Sequence, residues 1–324
     1  MLLVARLLLG IVLVAGAMCQ AQNYPSRPVR ILVPTPAGGP GDLLARGVAQ
    51  SLGQTLSQAI VVENRVGGDS IIAVDACAKA APDGLTLCSI DSFAVTLNPV
   101  LHSKLPYDPE RDLAPVIHYG SMGSALSVRP SLAVNSLREL LEIAKAKPNS
   151  ISFGTYGLAS ANNLYVEWMK NALGISFLNV PYKAASQAMQ ALLTGEIDVM
   201  AYSLGQTMAQ ANAGKVKILA VAGEERSAAL PAVPSFKESG LDVSIRAWFG
   251  LFAPAATPPQ VVQRLNAELA ALLASSAFKE KFLSSLGIEA QAPAGQPSEA
   301  FARYIRQERA MYANLVKVVG LKVD

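Results

Sequence analysis

Two glycine-rich segments of this chain have the residue types that hold a small anion. One reads Pro34-Thr-Pro-Ala-Gly38-Gly39-Pro-Gly41-Asp42, and the other Gly154-Thr155-Tyr156-Gly157-Leu-Ala-Ser160-Ala-Asn162-Asn163. Glycines leave backbone N–H groups accessible, and a helix that starts there adds unpaired N–H groups and the positive end of its dipole. Asp42 has the residue type of a helix N-cap. Each segment alone is typical of an ordinary turn between a strand and a helix. Because one such segment lies at the corresponding place in each half of the chain, together they predict a site that clamps one small anion.

Further polar side chains follow other strands of the predicted sheet. Ser89, Asp91 and Ser92 come at the end of a strand over 85–90, and Tyr182 and Lys183 follow a strand over 177–180. Ser92 could donate to a ligand carboxylate, and Asp91 could accept from a ligand ammonium or hydroxyl. Two alternatives stay open: Asp91 as a solvated loop acid, and Lys183 as a surface ion.

The motifs of several enzyme classes are missing from the sequence. It contains no G-x-x-x-x-G-K-[ST] phosphate loop, no clean G-x-G-x-x-G and no G-x-S-x-G. With 2 His and 3 Cys and no C-x-x-C pair, we expect no metal and no cofactor. A pair of carboxylates among the 24 acids stays open, although no spacing singles one out.

Length and charge limit the class of protein. A chain of 324 residues allows two domains, and 51% hydrophobic residues provide a core. The 27 Lys and Arg against 24 Asp and Glu give a net charge of +3, which does not predict a nucleic-acid partner.

The N-terminus has the pattern of a secretory signal peptide. Arg6 precedes an apolar run over 7–18, and cleavage is expected after Ala21 or after Ala17. The run is short of the roughly 20 residues that a spanning helix needs. Export would place Cys77 and Cys88 in an oxidising compartment, where they either form a disulfide or stay two buried apolar side chains.

Short β-branched runs alternate with helical patterns along the chain. Strands are predicted over 29–34, 59–63, 85–90, 151–153, 177–180, 197–200 and 216–221, and helices over 42–56, 70–80, 136–146, 161–173, 187–194, 259–275 and 297–319. Alternation of strand and helix predicts an α/β fold with parallel sheets covered on both faces. Ligands of such sheets bind at the carboxyl ends of the strands, where both glycine-rich segments lie.

Several segments together resemble the periplasmic solute receptors of the tripartite tricarboxylate transporter family, also called Bug-type receptors. They run in order through the mature chain and include Tyr24-Pro-Ser-Arg-Pro, Val61-Val-Glu-Asn-Arg65, Ala80-Ala-Pro-Asp-Gly84, Asn98-Pro99, Lys104-Leu-Pro-Tyr-Asp-Pro109, Val180-Pro-Tyr-Lys183 and Trp248-Phe-Gly-Leu-Phe-Ala-Pro254. The resemblance implies a two-lobed venus-flytrap fold of the type II-like class, each lobe a mostly parallel sheet flanked by helices. We expect one lobe over 23–112 and 223–324 and the other over 113–222, after a signal peptide over 1–21.

The resemblance also implies ligand contacts, mostly through backbone N–H groups, hydroxyls and water. The positions that match are Ala37, Gly38, Gly39, Asp42, Ser92, Thr155, Gly157 and Ser160, and we add Ser89, Asp91, Tyr156, Asn163, Tyr182 and Tyr202 as ligand-binding candidates. The chain departs from the family where Asn163 replaces a frequent His and Tyr202-Ser203 replaces an Asp. Because Asp91 stands where Thr or Ser is commoner, the ligand is expected to carry an amine, amide or hydroxyl beside its carboxylate.

These expectations describe a receptor for a small organic carboxylate. It would be a monomer without enzymatic activity, and it would close on its ligand and dock on the membrane permease subunits of a tripartite tricarboxylate-type transporter. Three alternatives stay open: a receptor for a sensor kinase, a secreted enzyme acting on carboxylated substrates, and an adhesive surface protein.

Overall fold

The computed structural model describes residues 24–156, 160–243 and 245–320. The expected signal peptide and Gly157 lie outside these ranges. Within them the chain forms two sheets flanked by helices, which is the two-lobed α/β fold that the sequence predicts. No helix in these ranges is both long and apolar enough to cross a membrane.

The seven predicted β-branched runs all form strands, and four further strands lie over Leu113–Met122, Ser124–Val128, Trp248–Pro254 and Ile288–Glu289, where no strand was predicted. In chain order the strands are β1 (Val29–Val33), β2 (Ile60–Asn64), β3 (Thr86–Asp91), β4 (Leu113–Met122), β5 (Ser124–Val128), β6 (Ser152–Tyr156), β7 (Leu178–Tyr182), β8 (Val199–Ser203), β9 (Lys217–Val221), β10 (Trp248–Pro254) and β11 (Ile288–Glu289).

The helices cover both faces of the sheets. They are α1 (Pro40–Leu56), α2 (Ile71–Ala78), α3 (Phe93–Thr96), α4 (Asn98–Leu101), α5 (Pro109–Asp112), α6 (Leu137–Ala146), α7 (Ala161–Leu173), α8 (Ala185–Thr194), α9 (Leu204–Asn212), α10 (Pro259–Ala274), α11 (Ser276–Phe278) and α12 (Ser298–Val319). A π-helical turn over Lys279–Leu283 and a 3-10 turn over Ser284–Leu286 follow α11.

Both sheets are mixed. The first has the order β11-β4-β10-β3-β1-β2, and the second has the order β7-β6-β8-β5-β9. Most strands of each sheet share one direction, but β10 and β11 run opposite to the rest of the first sheet, and β5 runs opposite to the rest of the second. Strands β10 and β5 are those on which the chain arrives from the other lobe. The expected mostly parallel sheets are therefore interrupted where the chain crosses.

The boundary expected at residue 113 differs from the structure. Strand β4 pairs with β10 and β11 in the first sheet, so 113–122 belong with that sheet and not with the second. Only Gly123 separates β4 from β5. The sequence shows no sign of a boundary between β4 and β5 because the two strands follow one another in a single, mostly apolar run, although they belong to different sheets.

Helix α12 likewise does not belong to one lobe alone. Phe301 and Ile305 in its first half pack with Trp248 in the core of the first sheet, while Tyr312 and Leu315 pack in the core of the second. The assignment of all of 223–324 to the first lobe is therefore wrong for the second half of α12, which the amphipathic pattern could not assign to a lobe.

Helix α2 and strand β3 are joined covalently. Cys77 and Cys88, 11 residues apart, form a disulfide with a Cα–Cα distance of 6.0 Å. Both residues are fully buried in the core beside the first sheet, Cys88 on strand β3 itself. Of the two alternatives that the sequence left open, the structure has the bridge.

Candidate functional site

A cavity of about 470 Å³ lies between the two lobes. Its floor is made by the crossing segments Met122–Ser124 and Ile245 with Ala247. The other lining residues come from both lobes: Asp69, Ser70, Asp91, Phe93 and Asn98 from the first, and Tyr156, Ser160, Ala161, Asn162, Tyr202 and Ser203 from the second. A volume of this size suits a small molecule.

One wall of the cavity is formed by the starts of two helices. Ser160, Ala161 and Asn162 line it where α7 begins, and Ser203 lines it as the residue before α9. The Ser160 hydroxyl accepts a hydrogen bond of 3.2 Å from the Asn163 backbone nitrogen, which caps α7. Helix starts carry partial positive charge, so this wall favours an anion.

The two tyrosines of this wall stay uncharged at neutral pH. Burial, followed by the proximity of Tyr202, raises the pKa of Tyr156 to about 12. Burial also raises the pKa of Tyr202. Their hydroxyls can therefore offer hydrogen bonds without adding charge.

Side chains behind this wall hold the start of α7 in place. The Thr155 hydroxyl donates to Asn179 Oδ1 at 2.6 Å, and Asn179 Nδ2 donates to Asn163 Oδ1 at 3.0 Å. Asn162 Nδ2 donates to the Gly154 carbonyl at 3.0 Å. Among the described residues, Tyr156, Ser160 and Tyr202 of the predicted set line this wall, whereas Thr155 and Asn163 support it from behind.

The opposite wall is acidic. The Oδ1 atom of Asp91 accepts from the backbone nitrogens of Phe93 and Ala94 at 3.0 and 3.4 Å, and its Oδ2 atom accepts from the Ser70 hydroxyl at 3.2 Å. Burial raises the pKa of Asp91 despite these hydrogen bonds. Asp91 is the only residue of the predicted set that the described structure places on this wall.

The first glycine-rich segment does not line this cavity in the described structure. Helix α1 begins at Pro40 with Gly39 at the N-cap, so the expectation that Asp42 caps it is wrong. The Asp42 carboxylate, 1% exposed, instead accepts from Gly38 N at 2.9 Å, Arg46 Nε at 3.0 Å and Asn64 Nδ2 at 2.8 Å. Its side chain holds the shape of the segment, while Ala37 and Gly38 are exposed.

Three other candidates are engaged elsewhere in the fold. Ser92 is fully buried, and its hydroxyl accepts from the Trp248 backbone nitrogen at 3.3 Å. Ser89 is buried within β3. The Tyr182 hydroxyl donates to Glu196 at 2.9 Å. In the described structure none of the three lines the cavity, and a ligand contact through them stays a prediction.

Sequence reasoning missed the floor of the cavity and part of its acidic wall. Gly123 between two apolar runs was the available signal for the floor. The run Gly67-Gly68-Asp69-Ser70 was the signal for the wall, because glycine pairs mark unusual backbone. Gly123 was overlooked because it joins two strands and precedes no helix, whereas the run over 67–70 connects β2 to α2 and was accessible to the same strand-to-helix rule as the other glycine-rich segments.

Comparison with known proteins identifies the family. The model of the tripartite tricarboxylate transporter family receptor matches residues 44–321. This chain belongs to that family. The resemblance predicted from the sequence is thereby confirmed.

Solved structures of similar receptors support the same assignment. Rpa4515 of Rhodopseudomonas palustris with adipate is 30% identical, with a TM-score of 0.80 over 92% of this chain and 99% of that one. The periplasmic binding protein BugD is 33% identical, with a TM-score of 0.77 over 92% and 99%. MatC from the same R. palustris, with bound malate, is 30% identical, with a TM-score of 0.76 over 90% and 100%.

Membership of this family of periplasmic binding proteins implies a location in the periplasm. The disulfide of this receptor is of the kind that persists in that oxidising compartment. Within the described residues, no group of three or more His, Cys, Asp or Glu side chains could hold a metal ion.

Proposed function

We propose that this receptor binds a small organic carboxylate in the cavity between its lobes and delivers it to the membrane subunits of a tripartite transporter. The observation that carries the proposal is the wall formed by the starts of α7 and α9, which offers N–H groups and hydroxyls to an anion. The adipate and malate in similar receptors are carboxylates of a size that this cavity accommodates.

The arrangement suits binding without chemical conversion. Among the described lining residues there is no His, Cys or Lys that could serve as a base or a nucleophile beside a serine. We therefore propose a receptor that releases its ligand unchanged, without cofactor or metal.

The crossing segments suit a hinge between the lobes. Gly123, between β4 and β5, sits on the floor of the cavity, and Gly223 follows β9 with a φ of 124°. Ligand contact with both walls would favour the closed form, which would dock on the permease as a monomer.

Calorimetric titration and melting temperature test the binding. The mature chain, expressed from Gln22, is titrated with mono-, di- and tricarboxylates and with the amide of each acid. A carboxylate at 100 times its dissociation constant should stabilise the fold by about 2.7 kcal/mol, while its amide should not. Equal responses to acid and amide, or no response to any acid by the folded, ligand-free protein, would contradict carboxylate capture.

Two further assays separate this function from its alternatives. Mass spectrometry of the incubated ligand should recover it unchanged, since a converted product would mean an enzyme. Deletion of the permease subunits should abolish uptake of the ligand by cells. Persistent uptake together with a ligand-dependent change in a sensor kinase would instead assign the receptor to signalling.

A further inference from the structure

The two walls of the cavity have opposite polarity. The wall from the second lobe presents the starts of α7 and α9, which attract negative charge. The wall from the first lobe contains the acidic residues Asp69 and Asp91. A ligand that carries only negative charge would satisfy the first of these walls and be repelled by the second.

Among the described residues, no cationic side chain lines the cavity beside the acidic wall. Lys, Arg and His are missing from the lining residues within the described ranges. Arg246, between the lining residues Ile245 and Ala247, is directed elsewhere: its Nη2 pairs with Glu289 Oε2 at 3.0 Å and its Nη1 donates to Gln291 at 3.1 Å. The compensating positive charge is therefore left to the ligand.

Asp91 and Ser70 together form an acceptor pair. Backbone nitrogens can only donate, so the contacts with Phe93 N and Ala94 N fix Oδ1 of Asp91 as an acceptor. The Ser70 hydroxyl donates its only hydrogen to Oδ2 of Asp91. The remaining lone pairs of Oδ2 and of the Ser70 oxygen are then available to a group that donates several hydrogen bonds, as an ammonium does.

The backbone at Ser70 has a conformation that residues other than glycine rarely adopt. Asp69 and Ser70 have φ values of 49° and 75° in the left-handed region, after Gly67 and Gly68 at 124° and 55°. This conformation is unfavourable for residues other than glycine, and it persists only where the surroundings impose it. Here Asn98 Nδ2 donates to the Asp69 carbonyl at 2.7 Å, and Ser70 is bonded to Asp91. The strained backbone thus positions one member of the acceptor pair.

We infer that the ligand is a small amino-carboxylate, with its ammonium group at Asp91 and Ser70 and its carboxylate at the starts of α7 and α9. The inference rests on the proposed function and narrows its ligand class. Asp91 is partly buried, and an ammonium at this point relieves the cost of a partly buried carboxylate that has no cationic partner among the described lining residues. Burial, which raises the pKa of Asp91, is the physical sign of that cost.

Matched ligand series test the inference by titration calorimetry. Each series keeps one carbon skeleton and changes the C2 substituent: glutarate, 2-hydroxyglutarate and glutamate; succinate, malate and aspartate; propionate, lactate and alanine. In the series that fits the cavity, the amino member should bind at least about tenfold more tightly than the unsubstituted acid, as expected of a charge-assisted pair.

Substitutions of Asp91 and Ser70 test whether this acceptor pair causes the preference for the amino member. In Asp91→Asn the amino member should lose about tenfold or more in affinity, while the unsubstituted acid should bind more tightly because a negative charge is removed. Ser70→Ala should reduce the same preference. Asp83→Asn is the matched control, since Asp83 precedes the opposite end of β3 and pairs with Arg27 on the surface.

The outcomes separate the inference from the function on which it rests. Equal binding of the three members of every series, or a preference that survives in Asp91→Asn, would overturn the amino-carboxylate while carboxylate capture stands. Binding of no member of any series would contradict the amino-carboxylate, and the wider panel of mono-, di- and tricarboxylates would then decide whether carboxylate capture stands. If Asp91→Asn does not fold, the inference is still tested by the affinities of the wild-type protein for each ligand series and by the effect of Ser70→Ala on them.

Discussion

The backbone nitrogen of Gly38 donates a 2.9 Å hydrogen bond to the Oδ2 atom of Asp42, four residues further along the chain. Asn64 and Arg46 also donate to this buried carboxylate. The contacts close the first glycine-rich segment onto α1 and tie it to the end of β2. The role of Asp42 in this structure is therefore to hold the segment in shape.

Replacement of Asp42 should destabilise the fold. Asp42→Ala leaves three donors without their acceptor, and we expect the free energy of unfolding to fall by about 2–3 kcal/mol in urea denaturation. Asp83→Ala, which removes an exposed ion pair with Arg27, should cost about 1 kcal/mol or less. Equal effects of the two variants would contradict this role.

The same carboxylate should contribute to loss of stability in acid. Burial alone would raise the pKa of Asp42, but the hydrogen bonds from Arg46, Gly38 and Asn64 hold it below the ordinary value of 3.8. A carboxyl with a lowered folded-state pKa stabilises above its unfolded-state pKa, and the effect is lost as pH falls through the folded-state value. The stability difference between the parent and Asp42→Asn should therefore be constant above about pH 5 and shrink below about pH 4.

The disulfide between Cys77 and Cys88 should stabilise the first lobe. It closes a short loop of 11 residues, for which chain entropy predicts about 2–3 kcal/mol. Cys77→Ala/Cys88→Ala should lower the melting temperature measured without reductant. Dithiothreitol should destabilise the parent and leave the double variant unchanged, and equal sensitivity of both proteins would contradict the bridge.

The hydroxyl of Ser160 should serve both the helix and the ligand. It caps α7 and lines the cavity, so Ser160→Ala should lose about 1 kcal/mol of stability and also bind carboxylate less tightly. Ser136 is the matched control, because it caps α6 through Glu139 N at the same 3.2 Å and is not among the described lining residues. Ser136→Ala should lose similar stability and keep its affinity in the same titration. Loss of affinity in neither variant would contradict the role of the α7 start.

Regular elements could be predicted because their signals are local. The apolar run of β1 and the capped, amphipathic α6 agree with the structure to within about a residue. The helix start at Pro40 was missed because Asp42 was interpreted as a cap, whereas the Gly39 backbone takes that place. A side chain that reaches back to Gly38 leaves the same sequence signature as a cap.

The site was predictable only in part because it is assembled across the crossing of the chain. Tyr156 and Ser160 follow β6 and were accessible to a rule about strand ends. Asn98, Gly123 and Ala247 line the cavity only because both sheets and two crossing segments meet there. The spacing of these three residues in the sequence does not indicate that the fold brings them together.

A buried histidine and a half-buried glutamate near the crossing should give opposite pH dependences. His118 contacts the rings of Trp248, Phe301 and Tyr304, and burial, with the nearby Arg246, lowers its pKa from 6.5 to about 3. Burial raises the pKa of Glu308 from 4.5 to about 7, although the nearby Trp248 side chain and the charge of Arg246 oppose the shift.

The sign of each contribution follows from which state binds more protons. Between about pH 3 and 6.5 the unfolded state protonates His118 and the folded state does not, so stability falls as pH falls. Between about pH 4.5 and 7 the folded state holds a proton on Glu308 that the unfolded state has lost, so stability falls as pH rises. In their common window the two contributions oppose each other in the parent.

Single variants should separate the two contributions in urea denaturation at a series of pH values. Relative to the parent, His118→Phe should gain stability progressively as pH falls below 6.5, because an apolar ring of similar size replaces a base that must stay neutral. Glu308→Gln should gain relative to the parent as pH rises from about 4.5 to 7, because it removes a half-buried charge that forms in that range. Because both comparisons are with the parent at the same pH, other titrating groups cancel. A constant offset from the parent at every pH, in either variant, would mean that the side chain titrates alike in the folded and unfolded states.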